Sequence, residues 1–410
     1  MSLREVTVWA QLYDVATLSD VALLKRLRNA ADWFGILAAQ TLAVRAAVTG
    51  CTSRKRLRLV DGTANSAPGG GSAEWRLHMG YDPHTCQFTD FELTDSRDAE
   101  RLDRFAQKAD EIRIADRGFG SRPECIRSLA FGEADYIVRV HWRGLRWLTA
   151  EGMRFDMMGF LRGLDCGKNG ETTVMIGNSG NKKAGAPFPA RLIAVSLPPE
   201  KALISKIRLL SENRRKGRVV PAETLEAAGH VLLLTSLSED EYSAEQVADC
   251  FRLRWQIELA FKRLKSLLHL DALRAKEPEL AKAWIFANLL AAFLIDDIIQ
   301  PSLDFPPDVP DPKRRTNSLW RITKMVIWSL QVAIRGTVSL TAYKTQLKNA
   351  RHRLNEVPSR QPGGCGLSWS GITVIKKDNV IVFQVVIWPV QLNPVNANPH
   401  HKEANFPAML

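Results

Sequence analysis

Fifteen residues, Phe251 to Lys265 (F-R-L-R-W-Q-I-E-L-A-F-K-R-L-K), constrain this chain more than any other stretch. Wound as a helix at about 100° per residue, they place Arg254, Glu258, Lys262 and Lys265 within roughly 80° of one another, with Phe251 in the same arc. Leu253, Ile257, Ala260, Phe261, Leu264, Leu267 and Leu268 fill a separate arc. One face is a core stripe. The other sets a single carboxylate among three cations. A solvated helix mixes its charges more loosely, although a Glu flanked by Arg and Lys is most often an i,i+4 surface pair. The fold must therefore lay this helix across a core, with its charged face where a metal and a phosphate could both be held.

The rest of the chain supplies such a core. Lys55 to Asp61, Ala73 to Tyr81 and Thr85 to Leu93 alternate as strands, the first ending on an Asp. Ala99 to Asp110 reads as a helix, and Glu111 to Ala115 as a short strand that meets a second Asp in D-R-G-F-G. Ser121 to Phe131 reads as a helix, Asp135 to Trp142 as a strand. This order predicts an α/β fold: a ribonuclease-H-like mixed sheet, with a three-strand antiparallel meander and parallel additions, flanked by helices. His230 to Leu237 reads as a buried strand, Ser243 to Leu268 as one long helix and Pro278 to Ile299 as a buried one.

The expected organisation has six parts. Residues 1–50 are a helical N-terminal region, a DNA-contacting lobe or a packing subdomain, with Ser19 or Asp20 capping a helix. Residues 51–142 and 229–300 form the two parts of a catalytic core. Residues 143–228 are a mostly β insertion, with short apolar runs at Thr173 to Ile176, Arg191 to Leu197 and Ile204 to Leu210. Residues 301–360 are a basic helical region after a proline-rich linker. Residues 361–410 are a Val/Ile-rich tail, non-ancestral or an ordinary hairpin.

The 410 residues carry a net charge of +12, which favours a polyanionic partner such as nucleic acid over bland solubility by little. The six cysteines are scattered without ligand spacing, as in reduced thiols, and argue against structural zinc. No run is long enough to span a bilayer. There is no G-x-x-x-x-G-K-[ST] loop, no G-x-S-x-G elbow and no paired histidine spacing.

Three acids remain: Asp61, Asp116 and Glu258. In the expected sheet the first and fourth strands are neighbours, so Asp61 and Asp116 converge, and a helix crossing them brings Glu258 within reach. Carboxylates so placed can hold two divalent metals about 4 Å apart, and Mg²⁺ suits them because it borrows ligands from substrate phosphate. Alone, D-G-T and D-R-G are more often turns than ligands.

Together, Asp61-Gly-Thr, Asp116-Arg-Gly-Phe and the set Phe251, Arg254, Glu258, Lys265 resemble DDE transposases of the insertion-sequence-4 type over about residues 10 to 300. That family pairs D-G-T and D-R-G-[YF] with Y-x2-R-x3-E-x6-K, and Phe251 departs from it at the Tyr. The resemblance implies a metal triad of Asp61, Asp116 and Glu258 binding two Mg²⁺, with Mn²⁺ able to substitute. It implies phosphate contacts from Arg254 and Lys265 assisted by Lys262, with a ring at Phe251. The implied reaction is cut-and-paste transposition: cleavage at transposon ends, through a hairpin, then transfer of the 3′-OH into target DNA. The implied partners are double-stranded DNA and a second copy in a synaptic homodimer, with no membrane, in a bacterial cytoplasm at the nucleoid. A catalytically decayed copy that only binds DNA or dimerises is the alternative. A stand-alone nuclease of this fold is disfavoured by the insertion. Basic clusters that could read the ends are Lys25, Arg26 and Arg28; Arg54-Lys55-Arg56; Arg214-Arg215-Lys216; and Lys313-Arg314-Arg315.

Overall fold

A computed structural model describes residues 3–12, 15–48, 55–69, 73–165, 167–177, 185–271, 273–302 and 319–334, single positions from 339 to 348, and strands at 372–377 and 380–385. Among the described residues, one sheet holds nine strands in the order β3-β2-β1-β4-β5-β9-β8-β7-β6. Strands β1 (Arg56–Ser66), β2 (Ala73–Asp82) and β3 (Gln87–Asp95) form the antiparallel meander. Strands β4 (Glu111–Ala115) and β5 (Asp135–Val140) add in parallel to β1. This is the expected ribonuclease-H-like order.

The region after β5 extends the same sheet. Strand β9 (His230–Thr235) pairs antiparallel with β5 on one side and with β8 (Phe188–Ser196) on the other. Strands β7 (Asn169–Gly177) and β6 (Arg146–Leu148) follow outward. Residues 143–228 hold strands β6, β7 and β8, but Ile204 to Leu210, expected among the β runs, lies in helix α6 (Pro199–Arg215), where Leu203, Ile207 and Leu210 recur at helical spacing behind an N-terminal proline.

Side chains alternate across the sheet. Leu59, Ile114, Ile137, Ile193 and Leu233 join a core under α3 (Ala31–Val48), α8 (Ala244–Arg252), α9 (Trp255–Leu268) and α10 (Pro278–Ile299). Their strand neighbours Val60, Ala115, Val138, Ala194 and Leu234 join a second core under α4 (Pro123–Ala130) and α5 (Met157–Arg162). Ala38 and Leu42 of α3 lie in the first core, and Arg45 pairs with Asp297 at 2.7 Å. The N-terminal helices are therefore bound into the packing. Ser19 caps α2 (Asp20–Arg28), accepting from the Ala22 amide.

Two expected helices differ. Residues 99–110 form turns, because carbonyls that a helix would use internally are taken by guanidinium groups from the sheet. Arg113 donates to Leu102 O (2.7 Å), Phe105 O (3.2 Å) and Ala106 O (3.0 Å), and Arg58 also donates to Ala106 O. Glu111 accepts from both arginines, at 2.7 Å from Arg58 and 2.8 Å from Arg113, inside the protein. The long helix at 243–268 is broken. The Arg254 amide bonds back three residues to Phe251 O, and the Gln256 amide to Leu253 O, which closes α8 and restarts the chain as α9. No Gly or Pro marks this break.

Helix α11 (Leu319–Ile334) packs its Ile322 and Val326 against Ile295 and Ile299 of α10. The Val/Ile-rich tail contains a hairpin, β10 (Ile372–Lys377) with β11 (Val380–Val385). Most of the expected basic helical region at 301–360, with its Lys313-Arg314-Arg315 cluster, lies outside the described residues. No described helix is long and apolar enough to cross a membrane.

Candidate active site

The parallel ladder between β1 and β4 ends at the pair Val60 and Ala115. Asp61 and Asp116 are the next residues on each strand. By alternation both face the side covered by α8 and α9. Asp61 does not end its strand, as expected from sequence; β1 runs on to Ser66 paired with β2 alone. The Asp61 carboxylate accepts from the Gly62 amide at 2.8 Å, and Asp116 accepts from the Arg117 amide at 2.5 Å. These local bonds fix each acid on its own backbone.

Helix α9 crosses above them. Glu258 lies in its first turn, where the helix N-terminus favours a negative charge. Arg254 stands at the break between α8 and α9. Its guanidinium lies 2.5 Å from Glu258 Oε1 and 3.8 Å from Asp61 Oδ2, with only 11% of the side chain exposed. Arg254 thus bridges the acid of the sheet to the acid of the helix. Burial works against its charge, but Asp116, Glu258 and Asp61 outweigh that and hold it above its ordinary value. Burial pushes the Asp61 carboxyl up to about 7, against the pull of the Gly62 amide and Arg254, while Glu100 and Asp116 push it the same way.

The single-helix arc is corrected in one respect. Arg254, Glu258, Lys262 and Lys265 share a face, with Lys262 exposed and Lys265 half-buried. Phe251 belongs to α8 and is buried in the first core at 7% exposure, with Arg254 Cζ 5.9 Å from its ring centroid. Its contact with the site runs through Arg254.

Among the described residues, no three His, Cys, Asp or Glu side chains converge closely enough to hold a metal as they stand. The donor set nevertheless suits a hard divalent ion: carboxylate oxygens, two of them one residue past the last rung of the β1–β4 ladder. The Arg254 guanidinium occupies the place between Asp61 and Glu258 that a cation requires.

Sequence reasoning missed Arg139. It sits on β5 two residues after Ile137, so it faces the same side as Asp116. Burial lowers its pKa, Asp116 opposes this, and the nearby charges of Arg117 and Arg254 add to it. No motif marks it; only the strand's alternation and its neighbour's acid could have done so. Several expected end-reading cations are engaged within the protein. Arg28 pairs with Glu277 (2.8 Å), Lys55 with Asp135, and Arg56 with Asp110 (3.5 Å). Arg54 lies outside the described residues. Trp142 and Trp147 are buried, and the Trp147 indole donates to Trp142 O.

The sheet order, with one acid within β1 and another just past β4, defines a ribonuclease-H-like core. Residues 52–294 match the family described as the transposase DDE domain. Over 307 residues the chain is 97% identical to InsL of insertion sequence element IS186A from Escherichia coli K12, covering 75% of this chain and 83% of that protein. It is likewise 97% identical over 306 residues to the transposase for insertion sequence element IS421 from Escherichia coli, covering 75% and 82%. The transposase for IS231F from Bacillus thuringiensis subsp. israelensis is 23% identical over 281 residues, 58% of this chain and 56% of that one. A piggyBac transposase synaptic complex with hairpin DNA has a TM-score of 0.38 at 10% identity, over 77% of this chain and 60% of that chain, a likeness too slight to place any element. The chain belongs to the DDE transposase family, of the insertion-sequence-4 type. It is an enzyme that acts on DNA, with a domain of the metal-using kind.

Proposed function

We propose that this transposase moves its element by cut-and-paste, with Asp61, Asp116 and Glu258 as the metal-binding triad. The observation that carries the reading is the Arg254 bridge, which ties the acid within β1 to the acid in the first turn of α9. Two Mg²⁺ ions, or Mn²⁺ in their place, would activate the attacking oxygen and stabilise the leaving one. Arg254, Lys262 and Lys265 hold phosphate oxygens of the cleaved end; Arg offers a planar fork and Lys a point charge. Bound cations would neutralise the acids that hold Arg254 and leave its guanidinium available to the DNA.

Water attacks the phosphorus at the transposon end and the P–O3′ bond breaks, freeing a 3′-OH. That hydroxyl attacks the phosphodiester of the opposite strand, closing a hairpin and expelling the 3′-OH of the flanking DNA; a second water opens the hairpin and restores the transposon 3′-OH. The 3′-OH then attacks a target phosphodiester and expels a target 3′-OH. Both ends are cut within a homodimer, in the bacterial cytoplasm at the nucleoid. Residues 51–142 and 229–300 act as the catalytic core in this scheme, and 143–228 as the insertion.

The test is excision of the element from a plasmid carrying its own flanking DNA. Wild type excises and Glu258→Gln does not. If both excise equally, the triad assignment is wrong. The second reading, a decayed copy that only binds DNA, rests on Phe251 where the family signature has Tyr. A folded wild-type protein that binds the ends without excising them favours it.

A further inference from the structure

Helix α6 carries its larger apolar side chains on its outer face. It is 17 residues long and has no buried residue. Ala202, Ser205 and Leu209 are half-buried on its inner side, where Ala202 packs against the first core. Leu203, Ile204, Ile207 and Leu210 point the other way and are 58%, 43%, 53% and 46% exposed. At about 100° per residue these four fall within an arc of about 120°. A helix draws most of its stability from packing such a stripe, and among the described residues this one is left open to solvent.

Charge bounds the stripe at both ends. Glu200 lies in the same arc at the start of the helix and Arg214 at its end. Both are exposed, and among the described residues neither enters an ion pair. A two-fold axis over Ile207 runs two copies of α6 antiparallel. It sets Ile207 against itself, Ile204 against Leu210, Leu203 against the small Ser211, and Glu200 against Arg214 at each end. The face is therefore complementary to itself in polarity and in sign of charge, which an isologous contact requires. DNA suits it poorly, because phosphates need cations, and Lys201 and Arg215 lie on the flanks of the stripe.

We propose that the outer face of α6 is a homodimer contact, with two copies packed antiparallel about Ile207. This rests on the homodimer reading above and names the surface it would use. A helix of 17 residues is about 25 Å long, and one such pair buries less than the roughly 1,200 Å² of a standard stable interface. The association is therefore in the micromolar range for the free protein. DNA neutralises the flanking Lys201 and Arg215 and tightens it.

The experiment is sedimentation equilibrium of the full-length protein from about 1 to 100 µM, alone and on end-bearing DNA, beside thermal unfolding. Wild type should dimerise. Ile207→Glu sets two carboxylates together at the axis and should weaken the dimer at least about tenfold, with Tm unchanged. Glu200→Arg faces the second copy's Arg214 with a like charge and should weaken it too. Adding Arg214→Glu to Glu200→Arg should restore it, which a merely structural role would not do. Failure of that rescue overturns the antiparallel pairing. If Ile207→Glu and Glu200→Arg both dimerise as wild type does, the contact lies elsewhere and the homodimer reading survives. If Ile207→Glu instead lowers the Tm of a monomer, the chain itself covers this face and the proposal falls. If wild type stays monomeric with and without DNA, both readings fall.

Discussion

Asp61 and Asp116 stand side by side because the parallel pair Val60–Ala115 is the last rung between their strands. Each acid is one residue past that rung and on the face that α9 crosses. Their spacing is set by a hydrogen-bonded ladder, which holds atoms more firmly than a loop does. Replacing either by Asn should therefore reduce excision at least about a hundredfold while sparing the fold. Excision assays beside circular dichroism check this, with retained binding to end-bearing DNA as the control.

The Asp61 carboxyl, at about 7 in the fold against 3.8 in the open chain, also dictates a pH dependence. The folded state prefers the proton more than the unfolded chain does. The stability from this group is fully present below about pH 4 and is lost as pH rises through about 7, with a slope of at most about 1.4 kcal/mol per unit. In chelator, Asp61→Asn should have a Tm advantage over wild type that grows across that window and then levels. Mn²⁺ should narrow the gap by replacing the proton. A gap that is flat with pH refutes the shifted carboxyl.

Arg139 should contribute to DNA binding. It faces Asp116 from β5 and, among the described residues, no ion pair ties it down. Arg139→Ala is expected to weaken binding to end-bearing DNA and to lower the slope of log K against log salt by about one. An unchanged salt slope in filter-binding or anisotropy titrations would assign the residue to packing instead.

Phe251 supports Arg254 from the core side. Phe251→Tyr adds one hydroxyl near that guanidinium. Excision should rise severalfold, in keeping with about 1 kcal/mol for one recovered hydrogen bond, with little change in Tm. A large fall in Tm without a gain in excision would mean the core has no room for the oxygen.

Glu111 is the hub of a buried charge network, accepting from Arg58 and Arg113. Glu111→Ala leaves two guanidinium groups without their main partner and should cost about 3–5 kcal/mol, read from urea denaturation. The loss should extend to the turns at 99–110, which those arginines hold.

The parts of this protein that were legible in its sequence are those written by local periodicity. Alternation located β1 and β4, and the order of elements made neighbours of Asp61 and Asp116. The signature residues Arg254 and Glu258 fell on one face as their spacing required. What escaped depends on distant partners. The turns at 99–110 carry a helix-like sequence, and only Arg113 and Arg58, arriving from two strands, remove its carbonyls. The break at Leu253–Arg254 has no Gly or Pro to announce it, so Phe251 was projected onto the wrong helix. Arg139 belongs to no motif. Its proximity to Asp116 is a product of the sheet, visible only once the strands are side by side.

Strand β9 enters between β5 and β8, so the long insertion is joined to the catalytic sheet through the β8–β9 ladder. Removing it would strip β9 of a neighbour and leave a raw, aggregation-prone edge on the sheet that carries the acids. Such a sheet opens as one cooperative unit, so backbone amides of β5, β8 and β9 should exchange with deuterium at a common, slow rate. An insertion joined this way shares one hydrogen-bonded sheet with the strands that carry the acids, and damage to either is felt by both.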